Sequence, residues 1–114
     1  MPLLKITTNK ETELIKQKGF LKNASAKVAG ILQKPEKFVM TLFTQPAPMT
    51  FGGSEEAAAF LEIKSIGLTE EQAALLAKEV PNLVHDHLSI DPSRVYIEFA
   101  DAPRSLWGWN KGTF

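Results

Sequence analysis

The chain has 114 residues, 44% of them hydrophobic, and its 13 basic side chains balance 13 acidic ones. That length and apolar content suit one domain, residues 1–114, with a real but small core. The zero balance argues against a nucleic-acid footprint, and the absence of cysteine excludes disulfides, thiolate metal sites and thiol redox chemistry.

Met1-Pro2 opens the chain. Methionine aminopeptidases remove Met1 before a small residue, and proline qualifies. The product would begin with a secondary amine able to act as base or nucleophile; the plainer reading is a proline without a chemical task. No charged segment followed by a long apolar stretch marks a secretory signal, and no apolar run is long enough to span a bilayer. The expected setting is therefore cytoplasmic.

Leu3-Leu4-Lys5-Ile6 reads as a strand. Lys10 through Lys22 mixes both signs of charge and reads as an exposed face. Leu21, Ala24, Val28, Ile31 and Leu32 recur three or four apart and predict an amphipathic helix. Lys37 to Phe43 is strand-like and nearly continuously apolar, which implies burial on both faces. Gln45 to Ser54 is turn-rich. Its Gly52-Gly53-Ser54 is too short for a phosphate-binding loop, and Glu55-Glu56 reads as solvated.

Phe60-Leu61-Glu62-Ile63 is the next strand. Thr69-Glu70-Glu71-Gln72 is a capping-box pattern, followed by an apolar stripe of Ala73, Leu76, Ala77, Val80, Val84 and Leu88. Pro81 lacks an N–H and crowds the Ala77 carbonyl, so an interruption and a kink are expected. His87 lies near the stripe and His85 points away. Neither has companions at metal-ligand spacing, so both read as structural. Val95 to Phe99 is a further strand, and Trp107 to Asn110 suits a short edge strand pairing with a neighbouring subunit.

Pro35-Glu36-Lys37-Phe38-Val39 and Pro92-Ser93-Arg94-Val95-Tyr96 stand in corresponding places, each between a helix end and a strand. Two βαβ repeats thus predict an α+β fold: a four-stranded mixed sheet with two helices on one face. Helices on one face leave the other bare. The doubly apolar strand then needs a cover from outside the chain, and a homo-oligomer is expected.

Met1-Pro2, Lys34-Pro35, Phe51-Gly52-Gly53-Ser54, Ser65-Ile66-Gly67, Pro92 with Arg94-Val95-Tyr96-Ile97, and Gly108-Trp109-Asn110 with Thr113-Phe114 follow one another along nearly the whole chain. In that order they resemble the macrophage migration inhibitory factor group of the tautomerase superfamily. The resemblance implies a homotrimer with sheets around a central channel, active sites at subunit interfaces, and no cofactor or metal. It implies keto–enol tautomerisation of aromatic 2-keto acids such as phenylpyruvate, and of dopachrome-type compounds. The alternative it leaves open is a cytokine-like binding protein with weak or vestigial activity, and it allows export without a signal peptide. A third reading is a small-molecule-binding regulatory module of similar topology without catalysis. The Cys-x-x-Cys pair of many animal members is replaced by Ala57-Ala58-Ala59-Phe60, so a thiol oxidoreductase role does not carry over.

The resemblance also assigns roles by position. Pro2, freed of Met1, is the general base, kept neutral by an apolar pocket and a nearby lysine cation. Lys34 pairs with the substrate carboxylate; its letter alone would read as a solvated lysine at a helix C-terminus. The Ile66 backbone N–H binds a substrate oxygen, and Tyr96 lines the pocket from an adjacent subunit. Phe38, Ser65, Glu98, Trp107 and Phe114 complete the lining. Three of these depart from the animal members. Glu98 replaces asparagine and would repel an anionic substrate or pair with Lys34. Trp107 replaces a small aliphatic residue and would narrow the mouth or offer a stacking face, and Phe38 replaces a tyrosine, losing a hydroxyl but keeping the ring. The partners expected are an aromatic keto acid and further copies of this chain, with no nucleic acid and no membrane insertion.

Overall fold

Alternation along the first strand sets the architecture. In the computed structural model, which describes residues 1–114, Leu4, Ile6 and Thr8 of β1 (Leu3–Thr8) are buried while Leu3, Lys5 and Thr7 are half-buried. That period of two is the mark of a strand with one well-covered face. Helix α1 (Leu14–Leu32) supplies part of the cover, burying Phe20, Ala24, Val28, Ala29 and Leu32. Leu21 and Ile31 lie at the margin of that stripe. The stretch from Lys10 to Lys22 is exposed at Leu14 and Ile15, but Phe20 within it is fully buried because it continues the helical stripe toward the N-terminus.

The second strand, β2 (Met40–Phe43), begins later than its apolar sequence suggests. Glu36 to Phe38 form a 3-10 turn instead. The N–H groups of Phe38 and Val39 donate back to the carbonyls of Pro35 and Glu36 at 3.1 and 2.9 Å, so they are unavailable to a ladder. The ladder starts at Met40, whose N–H donates to the Pro2 carbonyl at 3.0 Å.

The second unit consists of β3 (Ala59–Ile66), α2 (Glu70–Leu88) and β4 (Val95–Ala102). The sheet order is β2-β1-β3-β4, with β1/β2 and β3/β4 parallel and β1/β3 antiparallel at the centre. Two βαβ repeats thus lie side by side in opposite senses, as the sequence pattern predicts. Leu4, Ile6, Leu61 and Ile63 of the sheet share one core with Phe20, Val28, Leu76, Val80, Val84 and Leu88 of the two helices.

The capping box of α2 is complete. Gln72 N–H donates to Thr69 Oγ1 and Thr69 N–H donates to Gln72 Oε1, both at 3.1 Å. Pro81 does not interrupt α2, which runs unbroken from Glu70 to Leu88. The carbonyl it orphans belongs to Ala77, which is exposed rather than on the buried stripe, so water can satisfy that oxygen.

The sheet face turned away from the helices is open. It carries Leu3, Lys5, Met40, Leu42, Phe60, Glu62, Lys64, Tyr96 and Glu98, read from strand register and alternation. Met40 is 62% and Tyr96 65% exposed, so within one chain β2 is not buried on both faces. Glu62 is flanked there by Lys5 at 3.7 Å and Lys64 at 4.0 Å. Trp107 to Asn110 contributes a strand that pairs within its own chain. β5 (Gly108–Trp109) and β6 (Gly112–Thr113) form an antiparallel hairpin. Asn110 and Lys111, at φ 49° and 72°, make the two-residue turn that such a hairpin favours. No helix is long and apolar enough to cross a membrane.

Candidate active site

Pro2 sits buried at the start of β1, held through its carbonyl by Met40. Lys34 reaches the same end of the sheet because of how α1 stops. Gln33 adopts a left-handed φ of 53°, and Lys34 N–H donates to the Ala29 carbonyl at 3.0 Å. This Schellman-type ending reverses the chain, and Pro35 prevents the helix from continuing. The Lys34 ammonium then donates to the Ile66 carbonyl at 3.1 Å. Ile66 is the last residue of β3, and the turn beyond it is pinned by Asp101, whose Oδ1 accepts from Gly67 N–H at 2.8 Å and Leu68 N–H at 3.1 Å.

Two adjoining clefts open at this corner. One, of about 160 Å³, is walled by Met1, Lys34, Phe38, Ile66, Arg104 and Phe114. The other, of about 270 Å³, is formed by Met1 and Pro2 with Lys37 to Met40 and Trp107 to Trp109. Aromatic rings link them: Phe38 meets Trp109 edge-on at 5.6 Å, and Trp109 stacks on Phe114 at 5.8 Å. The Met1 amine lies in this corner, and its pKa is held below the ordinary value of 8.0. Burial is the main cause, followed by repulsion from Lys34 and then from Arg104.

The fold therefore brings Pro2, Lys34, Phe38, Ile66, Trp107 and Phe114 to one corner. It leaves three expected residues elsewhere. Ser65 is 1% exposed and points its hydroxyl toward the Ile66 carbonyl at 3.5 Å, so it backs the strand and walls neither cleft. Tyr96 and Glu98 lie on β4, the opposite edge of the sheet from β2. Tyr96 packs on Phe51 at 4.6 Å beside a separate cleft of about 360 Å³ that also includes Met49, Thr50 and Phe60. Within one chain Glu98 does not pair with Lys34, whose ammonium faces the Ile66 carbonyl instead.

Arg94 builds the wall around Tyr96. Its guanidinium donates to four backbone carbonyls, those of Ala57, Phe51, Ser54 and Glu56, at 3.0 to 3.2 Å. It also lies over the Phe51 ring at 5.2 Å from the centroid. Arg104 and Trp109 are cleft residues that sequence reasoning missed as site residues. Trp109 had a signal in its aromatic, glycine-flanked strand; Arg104 had none. Of the histidines, His87 hydrogen-bonds Asn23 at 2.9 Å and packs edge-on against Phe20, while His85 faces Asp86 at 3.6 Å on the surface.

A family model described as macrophage migration inhibitory factor (MIF) matches residues 1–114. The macrophage migration inhibitory factor homolog of Brugia malayi is 38% identical over 115 residues, covering 100% of this chain and 99% of that protein. Among solved structures, the homologue from Prochlorococcus marinus superposes with a TM-score of 0.91 at 38% identity, covering 98% of each chain. The Toxoplasma gondii protein does so with a TM-score of 0.94 at 30% identity, covering 98% of this chain and 99% of that one. With the fold, the sheet order and the whole length in agreement, the chain belongs to the macrophage migration inhibitory factor family of the tautomerase superfamily.

Proposed function

We propose that the chain is a cofactor-free keto–enol tautomerase of aromatic 2-keto acids such as phenylpyruvate, with the Pro2 amine as general base once Met1 is removed. The observation that carries this reading is the setting of the N-terminus: an amine in a partly buried, cation-flanked, aromatic-walled corner, depressed toward its neutral form. The Pro2 nitrogen, one residue further in and buried, would inherit those surroundings. As a neutral amine it takes a proton from C3 of the keto acid. The C–H electron pair becomes the C2=C3 bond, and the carbonyl oxygen receives a proton to give the enol. The reverse sequence returns the keto form.

Lys34 faces the anionic end of the substrate. One of its N–H groups is occupied by Ile66, which leaves two for a ligand. Phe38, Trp107, Trp109 and Phe114 offer rings against which the aromatic group can pack. The open sheet face and the distant Tyr96 favour a homotrimer in which Tyr96 of a neighbouring copy closes the pocket.

A second reading, a cytokine-like binding protein with weak activity, is favoured by Glu98. It shares a face of β4 with Tyr96, so an assembly that delivers Tyr96 also delivers a carboxylate near an anion site. Intact mass identifies Met-free protein. Enol-to-keto conversion is then compared for wild type, Pro2→Gly and a variant with alanine inserted before Pro2. Loss in both variants supports the base. Equal activity in all three removes Pro2 from the chemistry. A silent, Met-free, correctly assembled wild type transfers the reading to binding.

A further inference from the structure

The chain has two arginines, and the fold treats them oppositely. Arg94 is enclosed by four carbonyl acceptors. The guanidinium of Arg104 takes part in no hydrogen bond and none of the ion pairs of the chain. Yet its position is fixed. Pro103 leads into the 3-10 turn Arg104–Leu106 at φ −66°, and the N–H groups of Leu106 and Trp107 fold back onto the Pro103 and Arg104 carbonyls at 3.0 and 3.3 Å. The turn points the chain into the β5–β6 hairpin and sets Arg104 in the wall of the 160 Å³ cleft, with Lys34 in the same wall. Within one chain no acidic side chain lines that cleft; its other walls are Met1, Phe38, Ile66 and Phe114. Two like charges facing one space without a counter-ion repel each other and are relieved by an anion between them.

We propose that Arg104 is a substrate-binding residue that takes the carboxylate of a 2-keto acid in its two-pronged fork, which shifts the Lys34 ammonium from the carboxylate that the family resemblance assigns to it onto the adjacent 2-keto oxygen. The inference rests on the tautomerase reading and deepens it. A guanidinium matches a carboxylate with two parallel N–H donors, whereas an ammonium is a point charge. Lys34, already oriented by Ile66, suits a single oxygen on which negative charge grows as the enol forms. Phe38 and Phe114 flank the space that remains for an apolar tail.

The test uses Met-free wild type, Arg104→Gln and Arg104→Lys, with phenylpyruvate and its methyl ester as substrates. Arg104 is exposed and makes no internal bond, so the variants will fold. At a pH where the amine is neutral in every variant, Arg104→Gln is expected to raise KM for the acid by about tenfold while leaving KM for the ester unchanged, and Arg104→Lys to recover only part of the loss. An unchanged KM for the acid, or equal changes for acid and ester, overturns the proposal. Calorimetric binding of trans-cinnamate, a carboxylate with no keto group, separates the two readings. A wild type that binds it but turns nothing over, with binding lost in Arg104→Gln, sinks the tautomerase and keeps Arg104. A wild type that turns over phenylpyruvate no better than Arg104→Gln does, at equal KM, sinks Arg104 and keeps the tautomerase. A wild type that neither binds nor reacts overturns both.

Discussion

Replacing Arg94 by alanine removes four hydrogen-bond donations and one ring contact in a single step. The bonds to Ala57, Phe51 and Ser54 are part-buried, and the bond to Glu56 is exposed, so water replaces only the last without loss. At about 1 kcal/mol net per part-buried bond, the change destabilises the fold by about 3 kcal/mol. For a domain of this size each kcal/mol lowers Tm by roughly 4 °C, which gives a fall of about 12 °C. Thermal unfolding followed by far-ultraviolet circular dichroism measures it, at one fixed protein concentration because the melting of an oligomer depends on concentration. Arg94→Lys keeps the charge but not the fork and is expected to restore no more than about a third of the loss. A fall below about 2 °C for alanine would show that the four carbonyls rehydrate freely, and full rescue by lysine would show that charge alone matters; either result refutes the reasoning.

Further outcomes are expected. The acid limb of kcat/KM against pH is expected to lie below the range of an ordinary chain-terminal amine, because the protonated amine is inactive and the freed Pro2 nitrogen would take up the surroundings that lower the pKa of the Met1 amine: burial first, then Lys34 and Arg104. Lys34→Ala and Arg104→Gln each move that limb to higher pH, Lys34→Ala further; a limb that stays put in both contradicts the electrostatic account. In the chain that keeps Met1, the lowered pKa of its amine makes stability rise with pH between the folded and unfolded values, since the unfolded chain binds more protons there. Thr69→Ala removes the hydroxyl half of the α2 capping box and costs about 1 kcal/mol in urea unfolding, with m unchanged. Phe20→Ala empties a fully buried site between the helices and the sheet and costs about 3 to 5 kcal/mol; a cost under 1 kcal/mol would mean that the core closes over the gap.

The repeat was legible because each βαβ unit writes its pattern locally: matching proline-led segments at Pro35 and Pro92, a stripe in α2, and a cap at Thr69. What misled lay in competition between local and distant partners. Lys37 and Phe38 have strand-like letters, but the carbonyls of Pro35 and Glu36 capture the N–H groups that follow them. Pro81 looks like a helix breaker, yet the acceptor it frees belongs to Ala77, an exposed residue off the buried stripe. At the site, Pro2, Lys34 and Ile66 were named from motif order, and the end of α1 explains how Lys34 arrives. Arg104 was invisible because nothing near it in sequence distinguishes it from a solvated loop arginine. Only the hairpin fold-back, with Phe114 N–H donating to the Trp107 carbonyl at 3.2 Å, brings that segment against the N-terminus.

That fold-back has a practical side. Met1 and Phe114 wall the same cleft, so anything fused to either end leaves from the wall of the site. A purification tag ahead of Pro2 keeps its nitrogen an amide, and one after Phe114 starts at a residue that walls the cleft. Neither product reports fairly on the untagged chain. An epitope inserted between Glu11 and Glu13, beyond the far end of β1 and ahead of α1, leaves both ends native.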